Sequence, residues 1–282
     1  MNIIRDPQGM HEWAQNSIKS SFKVALIPTM GALHNGHFSL INLAKNYAEK
    51  IVVSLFINPS QFDDVLDFEE YPKNIENDKL SCEKLGVDVL FIPSSECMYL
   101  SDHSVWIDEF ELSNGLCGQY RPNHFRGVCT IVLKLINIVQ GNFLFLGEKD
   151  AQQLRIIERM FRDLNIPVKI IRGKTIRESD GLALSSRNAR LSKGAREEAC
   201  EIYEALKIAE RLFKNGERAS DVLIHDVRSY LNKIKNISID YVSIIDNLTL
   251  EKVDHISSSV LLAIAVKVEN VRLIDNIVLE EN

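Results

Sequence analysis

Two patterns of hydrophobic residues, continuous short runs and helical spacing, alternate along the first 172 positions. Short apolar runs rich in β-branched residues predict buried strands at 23–28, 51–57, 88–92, 143–146 and 168–171. Segments with apolar residues at three- and four-residue spacing predict helices at 37–50, 74–85, 129–139 and 150–164. Strands that alternate with helices in this way are typical of a doubly wound parallel sheet.

The pattern changes after a polar passage at 172–191. Two amphipathic helices are predicted at 193–214 and 220–233, followed by strands at 237–245, 260–268 and 271–274. The last two strands are separated only by Glu269-Asn270, which permits a tight antiparallel turn. We therefore predict a Rossmann-like α/β domain at 1–174 and a smaller C-terminal α+β domain at 175–282.

Composition narrows the classes of protein that fit this pattern. The 282 residues are 45% hydrophobic, enough to bury a core in both predicted domains. The net charge of −6 is modest and no basic stripe is present, which argues against a nucleic-acid partner. No apolar run approaches the roughly 20 residues that span a bilayer, so we expect no membrane association and no export. The 5 scattered cysteines lack CxxC spacing, which favours a reducing cytoplasm.

The segment Pro28–His37 (PTMGALHNGH) lies where the first strong strand passes into its helix. Ligands bind at such strand ends in α/β sheets. Gly31 allows a close turn, Gly36 lets the backbone approach a phosphate, and the helix start offers free N–H groups. His34 and His37 can donate hydrogen bonds to phosphate oxygens, and a bound phosphate favours the charged imidazole. The residues alone also allow two ordinary surface histidines in a loop.

Two further segments carry candidate cations. Lys149, in Gly147-Glu148-Lys149-Asp150, places a compact charge at a predicted strand end, with Asp150 as a candidate acceptor for a ribose hydroxyl. Arg187 follows two serines, and its planar guanidinium suits a phosphate. The alternative for Lys149 and Asp150 is a solvated helix start, where an aspartate is favoured by the helix dipole.

The segments that carry a family resemblance occur in order along nearly the whole chain. They are PTMGALHNGH (28–37), FINPSQF (56–62), Tyr71-Pro72, HFRG (124–127), GEKDAQQL (147–154) and DGLALSSRN (180–188), with DNLTLEKVD and VENVRLIDN near the end. The first is the HxGH element of the nucleotidyltransferase superfamily, which includes class I aminoacyl-tRNA synthetases. Taken together, the segments closely resemble the pantothenate synthetase (pantoate–β-alanine ligase) family.

The resemblance implies an AMP-forming ligase that makes an amide bond. Such an enzyme joins pantoate to ATP, releases pyrophosphate and forms pantoyl adenylate, and the amine of β-alanine then displaces AMP to give pantothenate. ATP is a co-substrate, Mg²⁺ is expected with its phosphates, and a homodimer formed through the N-terminal domain is implied. The LSSR segment at 184–187 takes the place of the KMSKS loop of the synthetases.

The resemblance also assigns roles to individual positions. Catalytic roles fall on groups that carry charge or a hydroxyl: His34, His37, Lys149, Ser185, Ser186 and Arg187. The implied ATP site consists of Met30, Gly31, Ala32, Leu33, His34, Asn35, Gly36, His37, Gly147, Glu148, Lys149, Asp150, Ile176, Leu184, Ser185, Ser186 and Arg187. The implied acid-substrate site consists of Met30, Gln61 and Gln153, although a glutamine in a polar loop is ordinarily solvated.

Several positions near these motifs have less definite roles. Asp78 is a candidate outer ligand of Mg²⁺, with the polar face of a helix as the alternative. Arg121, His124 and Arg126 belong to a segment that resembles a loop near the family's active site. Leu146 stands where relatives often have an aromatic residue. Residues 58–72 are expected to cover the site, and the C-terminal domain is expected to act as a lid.

Two other functions compete with the ligase. Another nucleotidyltransferase, making a nucleotide-linked product, would share HxGH and a cationic loop, but it does not explain Gln61, GEKDAQQL and LSSRN together. A non-catalytic nucleotide sensor predicts that one or more charged groups are lost. All of them are present in this chain.

Overall fold

Within residues 1–281, which the computed structural model describes, six parallel strands form the larger sheet in the order β1-β4-β3-β2-β5-β6. The strands are β1 Asn2–Ile4, β2 Val24–Thr29, β3 Lys50–Leu55, β4 Val89–Phe91, β5 Phe143–Gly147 and β6 Lys169–Gly173. The predicted doubly wound sheet is confirmed. Strands β3, β4 and β1 lie on one side of β2, and β5 and β6 lie on the other. The crevice at the carboxyl ends of β2 and β5 is therefore the topological switch point, where ligands bind in such sheets.

Helices cover both faces of this sheet. Their bounds are α1 Pro7–Lys19, α2 Asn35–Ala44, α3 Val65–Glu69, α4 Ile75–Lys84, α5 Ser95–Met98, α6 Cys117–Tyr120, α7 His124–Val139 and α8 Ala151–Asp163. Helices α1, α7 and α8 share one hydrophobic core with one face of the sheet, whereas α2 and α4 share another core with the opposite face. Burial on both faces explains why the strands are almost continuously apolar.

The C-terminal part has α9 Lys193–Ala199, α10 Glu201–Lys214, α11 Ser220–Leu231 and an antiparallel sheet of β7 Ile237–Asp246, β8 Val260–Val268 and β9 Val271–Leu279. The predicted α+β arrangement is confirmed. One face of this sheet packs against α9–α11. The other face contributes Tyr241, Leu261 and Ala263 to the core that contains α7 and α8. Arg155 on α8, which is 6% exposed, adds a hydrogen bond from Nη2 to Asn247 Oδ1 at 2.6 Å.

The structure differs from the sequence prediction mainly at the ends of elements. The helix predicted at 193–214 is interrupted at Cys200, whose carbonyl accepts a hydrogen bond from the N–H of Tyr203 at 3.1 Å. Helix α2 starts earlier than predicted and stops at Ala44, α7 starts earlier, and β9 runs on to Leu279. Strand β1 and helix α1 were not predicted. Short-range periodicity locates elements but does not define their ends.

Candidate functional site

The loop after β2 is held by a carboxylate from a distant helix. Gly31 adopts φ +90°, the left-handed region that glycine tolerates. The two oxygens of Asp78, on α4, accept the N–H groups of Ala32 at 2.9 Å and Leu33 at 2.7 Å. Burial raises the pKa of Asp78, and these hydrogen bonds oppose that effect only in part. Asp78 is 3% exposed, so the alternative of a solvated helix face was wrong. It lies outside the lining of the cleft, and its role as an outer ligand of Mg²⁺ stays a prediction.

The two histidines form the start of α2. His34 Nδ1 accepts the N–H of Gly36 at 3.1 Å, and His37 Nδ1 accepts the N–H of His34 at 3.3 Å. Their ring centroids are 4.1 Å apart. Because each Nδ1 is an acceptor, a neutral ring carries its proton on Nε2, where it can donate to a ligand. The alternative of two ordinary surface histidines does not account for this reciprocal cap.

Burial keeps both imidazoles neutral. Burial, followed by the charge of Lys149, lowers the pKa of His34 to about 4. Burial, His34 and Lys149 lower the pKa of His37 well below its usual value. A bound phosphate would act in the opposite direction, as expected from the sequence, but it starts from this depressed value.

Lys149 lies in a single 3-10 turn, Glu148–Asp150, between the end of β5 and the start of α8. Its Nζ is 3.9 Å from the carboxylate of Asp150. The carbonyls of Glu148 and Lys149 accept hydrogen bonds at 3.1 and 2.8 Å from the amide of Asn276, on β9. The turn therefore has support from both sheets, which a solvated helix start would lack.

The serine–arginine segment follows a hairpin that brings it to the glycine loop. The N–H of Leu184 bonds the carbonyl of Ile176 at 3.0 Å, closing residues 176–184 into the hairpin. Ser186 Oγ then donates to the carbonyl of Ala32 at 3.1 Å. Ser185 Oγ accepts the N–H of Arg187 at 3.3 Å, so the two hydroxyls fix the loop in different ways.

Arg187 is paired with a carboxylate that was not among the predicted residues. Its Nε and Nη2 lie 3.1 and 2.8 Å from the oxygens of Asp67, on α3, and its guanidinium lies 5.4 Å from the ring centroid of Tyr71. Arg190 binds the same carboxylate at 2.7 Å. Burial raises the pKa of Asp67, but the hydrogen bond and charge of Arg187 outweigh it and leave that pKa below its usual value.

Gln61 lies in the 3-10 turn Pro59–Gln61 and is buried. Its Oε1 accepts a hydrogen bond from Asn58 Nδ2 at 3.1 Å, which leaves its Nε2 as the donor, 3.0 Å from Met30 Sδ. Its carbonyl accepts hydrogen bonds from Arg121 Nη2 at 3.1 Å and His124 Nδ1 at 2.8 Å. Arg121 and His124 therefore hold the turn that carries Gln61.

Burial and repulsion between cations affect both supporting residues. Burial, then the nearby Arg187 and Arg272, lower the pKa of Arg121 to about 10. Burial, then Arg121, lower the pKa of His124 to about 3. Arg126 lies elsewhere, with its guanidinium 5.0 Å from the ring centroid of Trp106, and does not line the cleft.

One cleft between the two sheets brings most of the predicted residues together. Those that line it are Met30, His34, Gly36, His37, Gln61, Gly147, Lys149, Asp150, Gln153, Ile176, Leu184, Ser185, Ser186 and Arg187. Gly31, Ala32, Leu33, Asn35 and Glu148 do not line it and instead belong to the loops around it. Leu146 is buried at the edge of the cleft and packs in the core.

Sequence reasoning assigned no individual role to Asn58 and Asp67, which belong to the predicted cover at 58–72, or to Asp275 and Asn276; all four line the cleft. A signal was available for the last two, because they form a polar pair within the mostly apolar strand β9. In the described part of the chain, no group of three or more histidine, cysteine, aspartate or glutamate side chains is placed to hold a metal ion. No helix among residues 1–281 combines the length and apolar character required to cross a membrane.

Comparison with known proteins gives a consistent result. The family model described as "Pantoate-beta-alanine ligase" matches residues 2–278. The chain is 45% identical over 279 residues to the pantothenate synthetase of Thermotoga petrophila, covering 99% of this chain and 100% of that protein. The pantothenate synthetase of Pseudothermotoga lettingae is 47% identical over 258 residues, 92% of each chain.

Solved structures agree over the full length. The crystal structure of pantothenate synthetase from Thermus thermophilus superposes with a TM-score of 0.93 at 33% identity, covering 100% of both chains. The pantoate–β-alanine ligase of Francisella tularensis, complexed with beta-gamma ATP and β-alanine, has a TM-score of 0.82 at 35% identity, covering 100% of this chain and 99% of that one.

The lowered pKa of His124 predicts acid sensitivity. Between its usual pKa of 6.5 and its folded value of about 3, the unfolded chain binds more protons than the folded chain. The free energy of unfolding should therefore be retained above pH 6.5 and fall as the pH drops below it, by up to about 1.4 kcal/mol per pH unit from this residue. Urea unfolding at several pH values measures how steeply the free energy of unfolding changes with pH. This pH slope should be shallower for His124→Asn than for the wild type. The neighbouring variant Asn123→Ala keeps the imidazole and should keep the slope; equal slopes for His124→Asn and the wild type would refute the assignment.

Proposed function

This chain belongs to the pantoate–β-alanine ligase family, whose members condense pantoate and β-alanine with ATP through an adenylate intermediate, and we propose that the residues of the cleft carry out this reaction as follows. The supporting observation is the convergence of Lys149, Arg187 and the two histidines on the crevice at the ends of β2 and β5. No covalent enzyme intermediate is required, because phosphoryl-type transfer relies on positioning and charge stabilisation.

ATP occupies the crevice between the glycine loop and the serine–arginine loop in this proposal. The phosphates lie against the glycine loop at the start of α2. The backbone N–H groups of Ala32, Leu33 and Gly36 are already bonded within the protein, so the Nε2–H groups of His34 and His37 donate to the phosphates. Lys149 and Arg187 neutralise charge that develops on the leaving pyrophosphate, and Ser185 and Ser186 orient the loop beside it. Asp150 accepts a ribose hydroxyl, and Ile176 packs against the adenine. On binding of ATP, the guanidinium of Arg187 leaves the carboxylate of Asp67 and pairs with the triphosphate.

Pantoate lies beside Met30, Gln61 and Gln153. A carboxylate oxygen of pantoate attacks the α-phosphorus in line with the departing pyrophosphate, forming pantoyl adenylate. The free amine of β-alanine then attacks the acyl carbon. The C–O bond to the phosphate breaks, AMP leaves, and the amine releases one proton to water as the amide bond forms. Asn58 donates to Oε1 of Gln61 and so fixes the orientation of the Gln61 amide. The Nε2 of Gln61 can therefore donate to a hydroxyl or carboxylate of the substrate. Residues 58–72 cover the adenylate and limit its hydrolysis.

Magnesium is proposed to enter with ATP. The described residues offer no ready-made cage, and Asp67 and Asp78 are already engaged by arginines and by backbone N–H groups. This fits a cation whose ligands come mainly from phosphates and water. When bound, Mg²⁺ would neutralise part of the triphosphate charge. The 5 free cysteines agree with a cytoplasmic setting for this reaction.

Neither competing function accounts for the cleft as well. A transferase that makes a nucleotide-linked product needs HxGH and the cations but has no use for the Asn58–Gln61 pair beside Met30. A nucleotide sensor has no need for Arg187, which is paired with Asp67 and can exchange that carboxylate for a phosphate. Release of pyrophosphate excludes the sensor, and its dependence on pantoate, with AMP formed once β-alanine is added, distinguishes the ligase from another nucleotidyltransferase.

The reaction itself supplies the first test. Purified protein with ATP, Mg²⁺ and pantoate should release pyrophosphate, and addition of β-alanine should yield AMP and pantothenate by mass detection. Lys149→Ala should lower kcat by roughly 10²- to 10³-fold, because it removes a cation from the developing charge. Lys169→Ala removes an exposed cation on β6 and should leave the rate unchanged. Intact ATP binding without pantoate-dependent pyrophosphate release would point instead to another acid or to a sensor.

We propose that two copies of the chain pair through the N-terminal domain. The segment between α5 and α6 exposes three large apolar side chains, Leu100 at 66%, Val105 at 71% and Phe110 at 77%, which a partner surface can bury. Analytical ultracentrifugation should give twice the chain mass of 32.1 kDa for the wild type and a monomer for Phe110→Asp. Leu248→Asp, at 66% exposure in the C-terminal part, is the matched control. A monomeric wild type would contradict this proposal.

We propose, finally, that residues 1–174 form the nucleotide- and pantoate-binding domain and that 175–282 form a lid domain. The hairpin at 176–184 leads into Arg187 at the junction, so ligands that hold Arg187 should also order the hairpin. Hydrogen exchange at residues 180–190 should slow when ATP and pantoate are both added. Equal exchange with and without ligands would argue against a lid.

A further inference from the structure

Two consecutive polar residues, Asp275 and Asn276, lie in the mostly apolar edge strand β9. Asp275 pairs across the sheet with Ile264, and Asn276 pairs with Ala263. Neighbouring side chains on a strand point to opposite faces. Asp275 is therefore on the face that packs against α9–α11, and Asn276 is on the face toward the larger sheet.

Asn276 uses its side-chain amide on the turn that bears Lys149. Its Nδ2 donates to the carbonyls of Glu148 at 3.1 Å and Lys149 at 2.8 Å. These contacts join residues 127 and 128 positions apart in the chain. They hold the backbone from which the Lys149 side chain extends, between the end of β5 and the start of α8.

Asp275 holds the second cationic segment from the opposite face. It is 3% exposed and receives two hydrogen bonds from the guanidinium of Arg177, one of them from Nη2 at 2.9 Å. Arg177 also donates to the carbonyl of Gly181 at 3.1 Å and lies 3.9 Å from the ring centroid of Tyr203. Arg177 and Gly181 belong to the hairpin that leads into the serine–arginine loop.

We propose that Asn276 is a positioning residue for adenylyl transfer, setting the place of Lys149 relative to the loop that carries Arg187. This inference rests on the proposed function, since it assumes that both cations act on one triphosphate. Adjacent residues of one strand grip the two segments, so the strand itself fixes their separation. A lysine side chain is long and flexible, and an error in its backbone position is carried to the ammonium group. A displacement of about 1 Å can lower a rate by roughly 10²-fold.

The proposal is tested by a double-mutant cycle on pantoate-dependent pyrophosphate release. Asn276→Ala should lower kcat roughly 10- to 100-fold and change the KM for pantoate less than about 2-fold. In a Lys149→Ala background the same substitution should lower kcat by no more than about 2-fold, because the group it positions is already absent. Asn270→Ala, in the exposed turn before β9, removes an equivalent amide and should leave kcat unchanged.

A second variant at position 276 and the activity of the wild type separate folding from function. If Asn276→Ala fails to fold, Asn276→Leu keeps a γ-branched side chain of similar size, removes both donors without adding a charge, and should give the same dependence on Lys149. Equal losses of kcat with and without Lys149, or no loss in either background, would overturn the positioning role and leave Asn276 as an ordinary packing contact. Absence of pantoate-dependent pyrophosphate release from the wild type would instead refute the proposed function.

Discussion

Repulsion between cationic groups governs how the cleft is built. Lys149, Arg187, Arg121 and Arg272 line the same cleft as three histidines. At a separation of 4 Å and an effective dielectric constant near 20, two unit charges of like sign repel by about 4 kcal/mol. The chain limits this repulsion in two ways. Burial and the neighbouring cations keep the histidines neutral, and Asp67 neutralises part of the arginine charge.

This arrangement also prepares the cleft for an anionic ligand. Arg187 is never without a partner in the proposed reaction, because it passes from the carboxylate of Asp67 to the triphosphate, and the cost of leaving a buried charge unpaired is avoided. The reciprocal cap of His34 and His37 leaves each Nε2–H as a fixed donor at a helix start. Donors that are oriented before the ligand arrives need little reorganisation during the transfer.

The two sheets act as one frame for these groups. The C-terminal sheet buries one face against its own helices and the other against α7 and α8, so it is part of the wall of the cleft. The turn bearing Lys149 has its carbonyls bound from β9, and the loop bearing Arg187 follows a hairpin bound to the same strand. Because both segments are bound to β9, one on each face of the strand, the positions of Lys149 and Arg187 relative to each other depend on this strand.

The sequence by itself determined the fold class and the segments that form the site. Local periodicity of apolar residues decides which segments become strands or helices, and the glycine loop, Lys149 and Arg187 were recognised because the motifs are contiguous. Only the tertiary structure decided which carboxylate pairs with Arg187, that Asp78 binds backbone N–H groups, and that Asn276 reaches the Lys149 turn. These contacts join residues from 45 to 128 positions apart. The protonation of the histidines was likewise beyond the sequence, because burial is produced by the packing of the whole chain and not by the residues beside them.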